Sequence, residues 1–107
     1  MNISARQHEL LAEIQRLAIT AGIQTQQRAV HDVRSCCNER GHYLCSDVTI
    51  RKSGEIIGNP SHETRVMICA DGSDAPTEGW DERDRTLTQQ RDELADWIAA
   101  NRKQEAA

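Results

Sequence analysis

The sequence predicts a single α+β domain with the element order α-α-β-β-β-α. Three observations carry that expectation. Apolar residues recur every three to four positions towards both ends of the chain, apolar and polar residues alternate strictly in its middle, and turn residues separate these stretches. With 107 residues, the chain has room for one modest core and no second domain.

Ser4 followed by Gln7 matches a capping box, in which the hydroxyl accepts from the N3 amide and the glutamine reaches back. Leu10, Ile14, Leu17 and Ala21 then recur at helical spacing, with Leu11 and Ala18 widening the stripe. This predicts a helix over about 4–21, closed by Gly22 and Ile23. Thr25 is placed to cap a second helix over about 25–40. Its stripe is thinner (Ala29, Val30, Val33, Cys37) and Gly41 stops it, so the pair is expected to form a helical hairpin.

The period then changes. Leu44, Ser46, Val48 and Ile50 alternate with Cys45, Asp47, Thr49 and Arg51, which predicts a half-buried strand over about 43–51. Ser53-Gly54 turns into a short strand over 55–58, and Asn59-Pro60-Ser61 makes a second turn. A third strand over 63–70 places Val66, Ile68 and Ala70 on one face, with Arg65, Met67 and Cys69 on the other. The three strands are expected to form an antiparallel meander. Residues 71–80 contain Gly72, Pro76 and Gly79 and predict a loop. Asp81 is placed to cap a helix over about 82–102, with Leu87, Leu94, Trp97 and Ile98 on its apolar side.

Composition removes several functional classes. No stretch approaches the roughly 18 apolar residues of a membrane-spanning helix. The N-terminal MNISARQHELL lacks the pattern of a secretory signal, so a cytoplasmic protein is expected. A net charge of −4 argues against a general nucleic-acid binder. Tyr43, Trp80 and Trp97 are the only large aromatic rings, too few and too scattered for a stacking platform. A helix-turn-helix is disfavoured because Asp32 and Glu39 offset Arg28, Arg34 and Arg40.

The charge is unevenly placed. Residues 1–70 hold eight basic and seven acidic residues, while residues 71–107 hold five basic and ten acidic. Most of the excess lies in Asp71, Asp74, Glu78, Asp81, Glu82 and Asp84, with Trp80 among them. Such a block is either a solvated loop leading into the acid-rich first turn of a helix or a surface offered to a basic partner. A tryptophan ringed by carboxylates suits the second, because Trp is a frequent interface anchor and complementary charge speeds encounter. The expected function is therefore a non-catalytic protein-interaction module whose partner presents a basic surface. One concrete version is an inhibitor that fills a nucleic-acid-binding groove by imitating phosphates. Small acidic α+β proteins richer in Arg than in Lys occur among phage-encoded inhibitors of bacterial defence systems, anti-CRISPR proteins included; that is an analogy of class, and it carries no residue over.

The cysteines raise two alternatives. Without a secretory signal the default is reduced thiols, with Cys45 and Cys69 the first pair to consider if oxidation occurred. Cys36, Cys37, His42 and Cys45 fall within ten residues and could supply zinc ligands, although CC-x4-H-x2-C is not a known finger or ribbon spacing. Apart from that zinc, no cofactor is expected. A thiol-dependent enzyme would need Cys36 or Cys45 beside His42 or His31, and nothing in the sequence places them together. No G-x-S-x-G, glycine-rich phosphate loop or H-E-x-x-H accompanies them. DGSD at 71–74 lacks the ligand spacing of a calcium loop. The expected partner is a protein, with neither nucleic acid nor membrane bound directly. Leu11 and Ile19, off the centre of the first stripe, could serve a homodimer seam.

Overall fold

The computed structural model describes residues 3–39, 41–52, 54, 58–74 and 82–102. The element order is α1 (Ala5–Thr25), β1 (Arg28–Asn38), β2 (Gly41–Arg51), β3 (His62–Ile68) and α2 (Leu87–Asn101). The three strands form an antiparallel sheet in the order β1-β2-β3. This is an α+β fold, with one helix before the strands and not two.

α1 begins as its sequence dictates. Ser4 Oγ accepts from the Gln7 amide at 3.1 Å, and Gln7 Oε1 accepts from the Ser4 amide at 2.9 Å. The helix runs through Gly22 to Thr25, where Gln26 takes a left-handed conformation with φ 56°. Leu10, Ile14, Ala18 and Ala21 are buried along one side.

The predicted second helix is a strand. Arg28–Asn38 contains Val30, Val33, Cys36 and Cys37, with Ala29 and the arginines as its only strong helix formers. Its eleven residues pair without a break with β2, from Arg28↔Arg51 to Asn38↔Gly41. Gly41, expected to stop a helix, opens β2 at φ 114°.

β2 and β3 follow their alternation. Val48, Ile50, Val66 and Ile68 are fully buried on the face shared with both helices. β3 ends at Ile68, short of the expected residue 70, and residues 70–72 form a turn. Of the short strand expected over 55–58, residues 55–57 lie outside the described set and Gly58 sits in a bend. β2 pairs with β1 over eleven residues but with β3 over seven, so Cys36–Asn38 and Gly41–Tyr43 project as a two-stranded ribbon beyond β3.

α2 starts at Leu87, later than expected. Its cap is Thr86, which forms a capping box with Gln89. Asp81 lies outside the described residues. Residues 83–85 instead extend alongside β3: the Arg65 amide donates to the Arg83 carbonyl at 2.9 Å and the Arg85 amide donates to the Arg65 carbonyl at 2.8 Å. Leu87, Leu94 and Ile98 complete the core, with Trp97 half-buried against it. Each fully buried Leu or Ile contributes roughly 1.5–3 kcal/mol. Among the described residues no helix is long and apolar enough to cross a membrane.

Candidate interaction site

The acidic segment is tied to the scaffold at both ends. At its start, Asp71 accepts from the Ser73 amide at 2.9 Å, and this hydrogen bond holds its carboxyl below the usual carboxylate range. The Cys69 amide donates to the Ser73 carbonyl at 2.8 Å, and Gln7 Nε2 donates to the Gly72 carbonyl at 2.7 Å, locking the turn to the start of α1. Asp74 accepts from the Leu87 amide at 2.8 Å and so satisfies a free donor at the start of α2. At the other end, Arg65 Nε donates to Asp84 at 2.7 Å, and the Asp84 side chain is only 1% exposed. Arg85 joins the Glu82 and Asp84 carbonyls to the Glu93 carboxylate.

The acids therefore divide by role. Asp74 and Asp84 are committed to the fold, whereas Asp71 and Glu82 are exposed. Glu78, Trp80 and Asp81 lie outside the described residues. Proximity in sequence could not separate these roles, because the partners of Asp74 and Asp84 come from α2 and β3.

The cysteine–histidine group is split by the pleat. Cys37 and His42 are cross-strand partners on the helix side of the hairpin, whereas Cys36 and Cys45 belong to the opposite face with Tyr43. All four cysteines are free thiols. Among the described residues no group of three or more His, Cys, Asp or Glu is placed to hold a metal ion. Burial, with Asp47 next in importance, pushes the Cys45 thiol up to about 11, away from thiolate chemistry at neutral pH. His31 is bonded through Nδ1 to Gln15 and through Nε2 to Ser46, both at 2.8 Å, and so is held away from the cysteines.

The sheet face opposite the helices carries interlocked charges. Arg34 bonds Asp47 at 2.9 Å, and Arg83 bonds Glu63 at 2.6 Å. With Asp32 and Arg65 these groups line a shallow groove of about 360 Å³. Asp32 lies directly across from Asp47, a like-charge register that Arg34 bridges.

Beneath the helices runs a polar network that hydropathy could not reveal. Gln90 and Ser46 are fully buried. Gln90 Nε2 donates to the Ser46 carbonyl at 2.9 Å and towards Thr64, while Ser46 Oγ donates to Gln90 Oε1 at 2.9 Å. With its single proton committed there, Ser46 accepts from His31 Nε2. Burial lowers the His31 pKa; a neutral ring with its proton on Nε2 accepts at Nδ1, which requires Gln15 to present its side-chain NH2 there, its amide O and N being interchangeable by a flip. The signal available in the sequence was one polar residue, Gln90, in step with Leu87 and Leu94 on the apolar side of α2.

No protein-family model, no curated protein and no solved structure matches the chain.

Proposed function

We propose that the chain is a non-catalytic interaction module that docks its acidic segment against a basic, nucleic-acid-binding surface of another protein, in the manner of an inhibitor. The observation that supports this reading is the double anchoring of residues 71–85. Asp74 is fixed to α2 and Asp84 to β3, while Asp71 and Glu82 remain exposed near the two ends of the segment. Between them the sequence adds Glu78, Trp80 and Asp81. Anchoring at residues 71–74 and 83–85 gives the exposed carboxylates of Asp71 and Glu82 a defined place at a reduced entropic cost on binding.

The experiment reverses Asp71, Glu78, Asp81 and Glu82 to Lys, sparing the two anchoring aspartates. Immobilised wild-type chain is expected to retain basic host proteins that duplex DNA displaces, with thermal stability unchanged in the variant and retention lost. Equal retention by the variant, or retention that DNA does not compete, overturns the reading.

A further inference from the structure

We propose that β1 is a self-association edge, pairing antiparallel with β1 of a second copy about a two-fold axis at Val33 to make one continuous six-stranded sheet. This goes beyond the docking of the acidic segment and uses the opposite side of the molecule.

The edge is long, and its exposed charges, Arg28, Asp32 and Arg34, are of mixed sign. β1 is the outer strand of the sheet, and among the described residues no backbone group from another segment bonds along its outer side. Proteins ordinarily protect such edges with short strands, charged side chains (Lys above all), Pro or a bulge. β1 has eleven residues, no Pro or Lys, and an uninterrupted register with β2. Val30 and Val33 stand 41% and 43% exposed on it.

The side-chain order fits a second copy. Pairing about Val33 sets Val33 against the partner's Val33, and Asp32 against the partner's Arg34, with the reciprocal pair completing the symmetry. Val30 then faces the partner's Cys36. Every pair keeps its own face of the sheet, because each joins residues of the same parity. Within one chain Asp32 lies across from Asp47 and shares Arg34 with it, at 3.6 Å from Asp32, so the partner's Arg34 gives Asp32 a second cation directly across the seam.

The helices leave room. Gly22 of α1 lies close over Ala29, while the other end of α1 is tied to Gly72 beyond β3, so the helix crosses the sheet diagonally. The helix-side face of β1 is consequently uncovered from Val33 to Cys37, where Val33, Ser35 and Cys37 are all exposed.

The test uses the full chain in sedimentation equilibrium. Wild type is expected to be dimeric. Asp32→Arg sets Arg against Arg twice, and Arg34→Asp sets Asp against Asp twice, so each alone should raise the dimer dissociation constant about tenfold or more. Mixed together, the two variants restore both opposite-charge pairs and should form a heterodimer. The double variant Asp32→Arg/Arg34→Asp should dimerise by itself, with its new Arg directly across from Asp47 inside the chain; it decides the matter if Arg34→Asp alone does not fold. A monomeric wild type, a dimer indifferent to both single changes, or failure of the mixture and the double variant to recover dimer overturns the proposal. A double variant that loses the dimer while wild type still binds basic proteins overturns only this interface and leaves the acidic segment standing.

Discussion

Midway along β3, residues 83–85 take both outer backbone groups of Arg65, and Asp84 is buried against the Arg65 side chain to hold them there. Along β1 no such segment lies outside the strand among the described residues, and Asp32 and Arg34 sit exposed on it. Both edges carry opposite charges, yet the charges act differently. At β3 a buried Asp84 pins residues 83–85 against the strand; at β1 the charges are exposed, in an order that complements itself under a two-fold. Burial and register, more than residue type, separate a structural ion pair from one available for recognition.

The most severe way to break this contrast is at the closed edge. Asp84→Ala leaves the Arg65 guanidinium without its buried acceptor and releases residues 83–85. An isolated buried pair would lose about 3–5 kcal/mol, and the partial exposure of Arg65 reduces that to about 2 kcal/mol. Urea unfolding should show it, whereas Cys37→Ser on the open edge should stay within about 0.5 kcal/mol. Equal losses at the two positions would erase the distinction.

Acid should come next, through the histidines on the covered side of the sheet. Burial lowers the pKa of both His31 and His62 from the ordinary 6.5, so the unfolded chain binds protons that the folded chain does not. Stability is then complete above about pH 6.5 and declines as pH falls towards the lowered native values. His62 reinforces the direction, since its ring packs 5.8 Å from Trp97 with Nε2 buried and unbonded among the described residues. Thermal melts from pH 7.5 to 5 should show a falling midpoint, and His31→Gln/His62→Asn should flatten the curve. A flat wild-type curve would refute the assignment.

The smallest expected change is a gain. Gly22 is inside α1, and a Cβ there would meet the Gln27 carbonyl at 3.6 Å and the Ala29 Cβ at 3.7 Å, ordinary contacts. Gly22→Ala should therefore stabilise the fold by about 0.5–1 kcal/mol. A loss on thermal unfolding would show that α1 sits closer to β1 than these distances allow.

Local sequence determined the parts whose physics is local. The Ser4–Gln7 capping box, the apolar stripes of α1 and α2, and the alternation of β2 and β3 were all legible, because each buries one regular face. The Thr86–Gln89 cap was equally legible in the same S/T-x-x-Q spacing, but the nearer acidic residues drew the expected start to Asp81. Tertiary structure alone decided β1. An edge strand half-exposed on both faces shows no clean alternation, and its identity comes from backbone pairing with β2, which residue spacing does not encode. It also decided the candidate site. Whether an aspartate in the acidic segment is anchor or surface depends on which of α2 and β3 folds against it, and no count of charge along the chain contains that.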